Sequence, residues 1–192
     1  MELAFVDLLN SDWHDYRGSG RHEDRLDRHD WLADFLRTWG FEGVGEPGAA
    51  EVAGLRSLRT LLRGMVEELV AGRRLDPQAL DRLNEVMGAS PLVNRIERTQ
   101  DGYSLRQVPV RGGWDGVLAA IVLSFADTLA HHDPSRLRIC DNPDCGWFFY
   151  DESKNRTRRW CESGTCGNLV KVRRHRARAG VGTRGGSRGS PD

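Results

Sequence analysis

The sequence predicts an α+β chain that is mainly α. A helical N-terminal domain over residues 1–133 carries one small β-hairpin, a small cysteine-bearing hairpin-plus-helix module follows over 134–180, and a disordered tail occupies 181–192. Three observations carry this reading. Apolar residues recur at helical spacing through several long segments, the turn signal "QDG" separates two short β-like runs, and all four cysteines fall in the last third of the chain.

The 192 residues exceed one average domain, and with 39% hydrophobic and 29% charged residues they fit a globular protein and exclude a disordered one. No apolar run approaches the ~18 residues of a membrane helix, so no membrane partner is expected. The N-terminal stretch lacks the basic region and cleavage site of a secretory signal, and a cytoplasmic location is expected. The net charge of zero hides two poles: residues 134–192 hold 13 Lys or Arg against 6 Asp or Glu, and residues 1–133 hold 15 against 22. A basic C-terminal module on an acidic body points to a polyanionic partner for the module.

The elements follow in order. "ELAFVDLLNSD" spaces Leu3, Val6 and Leu9 for a short helix ending near Ser11, and "WHDYRGSGRHEDRLDRHD" has no period and reads as a loop. "HDWLADFLRTWGF" puts Trp31, Leu32, Phe35, Leu36 and Trp39 on one side, with Asp30 as N-cap and Gly40 as the stop. From Pro47 to about Arg73, Leu55, Leu58, Leu62, Met65, Val66 and Leu69 form the apolar stripe of a long helix. "LDPQALDRLNEVMG" begins with Asp76 as cap and Pro77 at the first helical position and ends at Gly88. "PLVNRIERT" and "YSLRQVPV" read as a hairpin, and "WDGVLAAIVLSFADTLAHH" as a buried helix.

The cysteines stand as "CDNPDC" and "CESGTC", two C-x4-C pairs fifteen residues apart. Each pair can wrap one side of a tetrahedral ion, so Cys140, Cys145, Cys161 and Cys166 are expected to hold one structural Zn²⁺. The strand-like "WFFY" and "RRW" around the turn "DESKN" would bring the pairs together. Two disulfides are the competing reading, disfavoured where thiols stay reduced. Four thiolates fill the shell and leave no catalytic position; metal binding worth roughly 10–16 kcal/mol would make up for a module too small to bury its own core.

After Cys166, "GNLVKVRRHRARA" has no breaker before Gly180, so a helix is expected to start at the last ligand pair. Lys171, Arg174, His175 and Arg178 share one face at ~100° per residue, with Leu169, Val172 and Ala179 on the adjacent flank and Arg173 and Arg176 reaching around it. Lys171, Arg173, Arg174 and Arg178, joined by Arg158 and Arg159 of the preceding segment, are the expected nucleic-acid contacts, chiefly to phosphates.

"DESKNRTRRWCESGTCGNLVKVRRHRAR" resembles the CGNR zinc finger at Asp151, Ser153, Asn155, Arg158, Arg159, Trp160, Cys161, Cys166, Gly167, Asn168, Lys171 and Arg174. Leu169 stands where that family has its eponymous arginine. The body is similar, more loosely, to the ABATE-type domain that precedes this finger in stress-induced transcription regulators, through "LAFVDLLNS", "WLADFLRTWGF" and "VLAAIVLSFADTLA". The resemblance implies a DNA-binding regulator whose body senses a ligand.

An enzyme is not expected. His14, Asp15, His22, Glu23, Asp24, His29 and Asp30 crowd together, but no G-x-S-x-G, P-loop, G-x-G-x-x-G or helical H-x-x-x-H occurs, and the interspersed arginines read as an ion-paired surface. Within that loop Arg21, His22 and Arg25 are the candidate lining of a small-anion pocket. The leading expectation is a zinc-containing DNA-binding transcription regulator, with a homodimer and a small-molecule effector as candidate partners; an RNA-binding or protein-interaction zinc module is the alternative.

Overall fold

The computed structural model describes residues 3–41, 43–110 and 112–182. Along those residues run α1 (Ala4–Leu9), the hairpin β1 (Asp12–His14) and β2 (His22–Asp24), α2 (His29–Thr38), α3 (Ala49–Val70), α4 (Pro77–Ala89), the hairpin β3 (Leu92–Thr99) and β4 (Gly102–Pro109), and α5 (Trp114–His131). The hairpin β5 (Leu137–Ile139) and β6 (Phe148–Tyr150) and the last helix α6 (Asn168–Gly182) complete them. The fold is α+β and mainly helical, with each strand pair antiparallel.

Six residues are too few for a helix to persist alone, so α1 exists through packing. Its Phe5, Leu8 and Leu9 are fully buried against α3 and α5, each side chain contributing about 1.5–3 kcal/mol. Phe5 meets Phe125 of α5 edge-on at 5.1 Å. The α3 stripe behaves as its spacing predicts: Leu55, Leu58, Leu62, Met65 and Val66 are buried. Asp76 caps α4 through the Gln78 N–H, ahead of Pro77 at the first turn. Gly40 ends α2 in the left-handed region (φ 67°). The expected Asp30 cap is displaced, because the helix starts at His29 behind Arg28 and the Asp30 carboxylate instead accepts from the Trp31 N–H and from Arg28.

The segment expected to be a loop after α1 holds β1 and β2, with Asp12 opposite Asp24, Trp13 opposite Glu23 and His14 opposite His22. Three-residue strands of charged residues give no alternating apolar signal, so nothing local announces them. Their stability comes from α3, where Arg56, Arg59 and Arg63 line up at helical spacing. Arg59 grips the Asp24 carboxylate with both terminal nitrogens (2.7 and 2.8 Å), Arg56 reaches the same carboxylate at 3.0 Å, and Arg63 holds Asp12 at 2.8 Å.

The finger strands also differ from the expected ones. β6 falls in the expected "WFFY" between the pairs, but its partner β5 precedes the first cysteine, with Leu137 opposite Tyr150 and Ile139 opposite Phe148. The "RRW" stretch forms no strand; it returns by a single backbone bond from the Asp141 N–H to the Arg159 carbonyl, 2.9 Å. Leu137 and Phe148 are buried in the same apolar cluster as Phe5, Leu62 and Phe125. The finger hairpin thus contributes side chains to the main core. Asn10 fastens it: its side-chain amide donates to the Phe148 carbonyl (3.0 Å) and accepts from the Phe148 N–H (2.9 Å).

The expected break at Gly180 is passed, since α6 continues to Gly182; the tail expected to be disordered lies, from residue 183, outside the described residues.

Candidate metal centre and nucleic-acid interface

The turn "CDNPDCG" between β5 and β6 carries Cys140 and Cys145, and one wide helical turn, Ser163–Gly167, carries Cys166 into the start of α6. The four Sγ atoms of Cys140, Cys145, Cys161 and Cys166 lie within 4.8 Å of one another. Cys161 stands 3.7 Å from both Cys145 and Cys166. Disulfide sulfurs lie about 2 Å apart, whereas four sulfurs bound tetrahedrally at about 2.3 Å lie near 3.8 Å from one another. The arrangement fits a zinc ion and excludes two disulfides.

The crowded thiols also set one another's ionisation. Hydrogen bonding from its neighbours holds the Cys140 thiol far below its ordinary range. Sharing with Cys140, with burial added, pushes Cys145 up to about 12 and raises Cys161 as well. Such a cluster cannot carry four negative charges without a cation.

The shell around the sulfurs is organised by backbone and amide donors. Asn142, fully buried, donates to Cys166 Sγ at 3.4 Å and to the Tyr16 carbonyl at 2.8 Å, and the Cys161 N–H points to Cys140 Sγ at 3.5 Å. Gly167 packs on the Trp160 ring, where a Cβ would come within 3.2 Å of a ring carbon. Asp151 closes the "DESKN" turn by accepting from the Ser153 and Arg158 N–H groups.

The basic residues divide by what they touch. Arg158 stacks over Phe149 (4.8 Å) and donates to the Trp160 and Cys161 carbonyls, bracing the second ligand loop. Arg159 pairs with Asp141 and lies over Trp160. Arg173 leaves its helix to reach Asp144 and the Arg17 carbonyl, both at 2.6 Å. Lys171 lies 5.9 Å from the Trp160 ring centre with its side chain exposed. Arg174 and Arg178 are exposed and have no hydrogen-bond or ion-pair partner among the described residues. The apolar flank expected for this helix is narrower than predicted: Leu169 and Val170 are half-buried, but Val172 is 38% exposed. Residues 171–178 are all exposed, so α6 stands out from the centre as a basic rod.

Comparison with family profiles returns two matches. One, described as "Putative stress-induced transcription regulator" and named ABATE, covers residues 3–132, and the CGNR zinc finger covers residues 136–179. The chain belongs to the ABATE family. No curated protein matches it.

The three residues expected to line an anion pocket in the ABATE segment have different neighbours. Arg21 lines a cleft of about 280 Å³ with His14, Asp15, Gly18, Gly20 and the turn over residues 143–146. Arg25 sits between Trp13 and Trp147, 5.8 Å from each ring centre. His22 bonds to Asp12 at 2.6 Å.

Asn10 and Asn142 went unread as site residues because an amide near a turn looks like ordinary turn chemistry. Their partners lie over a hundred residues away in the chain. No helix among the described residues is long and apolar enough to cross a membrane.

Proposed function

We propose that this ABATE protein is a cytoplasmic, non-enzymatic, zinc-containing DNA-binding transcription regulator. In this reading α6 docks on DNA through Lys171, Arg174 and Arg178, while the N-terminal segment senses a small ligand or joins two copies. The observation that carries the reading is an exposed basic helix, with five cations over residues 171–178 and no acid, fixed at its N-terminus to a four-cysteine centre. Unpaired cations on one face are the groups that phosphates recruit.

Supporting features are consistent with the rest. A closed thiolate shell favours a structural ion over a catalytic one and suits a reducing compartment. The cleft beside Arg21, about 280 Å³, is of a size to take a small ligand. The β3–β4 hairpin exposes Ile96, Tyr103 and Leu105 by 69–80%, apolar surface that a second copy would cover.

The test is selection of bound sequences from a random DNA pool by the zinc-loaded full chain. Enrichment of one motif that survives competitor DNA is the expected result. No enrichment, with equal or tighter binding to RNA and steep salt dependence, replaces the reading with the RNA-binding alternative.

A further inference from the structure

We propose a second metal site on the β1–β2 hairpin, formed by Asp12, His14 and His22 and taking a divalent first-row transition ion. The hairpin register explains why these three meet. Asp12 and His14, two residues apart on β1, project from one face of the pleat, and His22 stands directly across from His14. Both imidazoles turn Nε2 toward the same carboxylate oxygen, Asp12 Oδ1, at 2.6 Å from His22 and 3.5 Å from His14. Cis ligands on an ion with bonds of about 2.1 Å are separated by roughly 3 Å, so these distances bracket what an ion needs. The three donor atoms all lie within 4.8 Å of one another.

The carboxylate is held in place from behind. Its other oxygen accepts from Arg63 at 2.8 Å, the kind of outer partner that fixes a ligand's orientation. Arg63 is itself seated over the Phe148 ring at 5.2 Å, so the brace reaches into the core. The histidines, by contrast, are open to solvent: their side chains are 46% and 51% exposed. Two imidazoles and one carboxylate suit Zn²⁺, Ni²⁺ or Co²⁺ rather than Mg²⁺ or Ca²⁺. Three protein ligands leave open positions, and His14 also lines the 280 Å³ cleft shared with Arg21 and the Cys145 turn. The site is therefore exchangeable, whereas the cysteine centre is closed. It depends on neither the nucleic-acid reading nor the finger's zinc.

The experiment uses the full chain carrying one zinc per molecule, dialysed against nickel chloride near pH 7.5. Metal content is then counted for both elements. The expected result is one nickel bound in addition to the zinc. His14→Ala and His22→Gln each weaken nickel binding at least about tenfold, while zinc content and far-ultraviolet helical signal stay unchanged. A wild-type chain that keeps its zinc but takes up no nickel overturns the proposal, as does nickel binding that survives both substitutions.

Discussion

The amide of Asn10 pairs with the backbone of Phe148 through both its oxygen and its nitrogen, doing for one residue what a neighbouring strand would do. Because Phe148 is buried, its N–H and carbonyl have no water to fall back on. Asn10→Ala should therefore lower stability by about 2–4 kcal/mol, read by urea unfolding. Asn10→Asp loses the donor and buries a charge against the Phe148 carbonyl, so it should cost less at low pH, where the carboxyl regains a proton. Equal stability of Asn10→Ala and wild type would mean that α1 and β6 are held by packing only.

Removing the metal separates the centre from the core. Chelation should expose all four thiols to a thiol reagent and change the near-ultraviolet signal of Trp147 and Trp160, which pack against the cysteines. Most far-ultraviolet helical signal should survive, since Leu137 and Phe148 remain anchored among α1, α3 and α5. Loss of all helical signal on chelation would contradict the shared core.

Acid should loosen the β1–β2 hairpin. Burial alone would raise the Asp12 and Asp24 carboxyls, but hydrogen bonds from His22 to Asp12 and from Arg59 and Arg56 to Asp24, with Arg63 beside Asp12, outweigh it and hold both below the usual carboxylate range. Folded-state values below the unfolded ones contribute stability that is complete above about pH 4 and lost as pH falls through the folded values. The melting temperature of wild type should fall below pH 4, and Asp24→Asn should flatten that dependence. Arg59→Met should destabilise by about 3 kcal/mol at neutral pH by leaving the Asp24 carboxylate without its best-aligned partner.

The cations of the second segment should sort by partner. Lys171→Ala, Arg174→Ala and Arg178→Ala should each weaken nucleic-acid binding with little effect on melting and reduce the slope of log affinity against log salt by about one. Arg158→Ala should instead lower the melting temperature, since its guanidinium braces two carbonyls of the ligand loop. The opposite pattern would move the interface from the free face of α6 to the Arg158 side.

Leu169 occupies the position of the CGNR arginine, half-buried in the first turn of α6. Leu169→Arg should strengthen nucleic-acid binding if that arginine contacts phosphate. Unchanged affinity, with unchanged zinc content, would assign the arginine a role within the fold.

The parts of this molecule that could be read in the sequence are those whose cause is local. Gly40, Asp76 and Pro77 mark helix ends through backbone preferences, the α3 stripe follows a 3.6-residue period, and the cysteine spacing follows from what a tetrahedral ion can bridge. Elements set by distant partners escaped. Nothing in "DWH" or "HED" tells of Arg56, Arg59 and Arg63, and a count of positive charges cannot distinguish Arg174, which is free, from Arg158 and Arg173, which are tied to carbonyls. Of the two strands expected in the finger, "WFFY" holds one and "RRW" none, because the partner of "WFFY" is set by Leu137 entering the core.

The two family profiles meet between residues 132 and 136, which invites a cut at that point in any attempt to prepare the halves separately. The hydrophobic interior runs straight through the junction. A fragment ending there would bare the face of α1 that covers Phe148, with Asn10 offering an amide to nothing, and a fragment beginning there would carry Leu137 and Phe148 into water. The seam between the two profiles is therefore a line in the sequence that the packing of Leu137 and Phe148 against α1 does not follow.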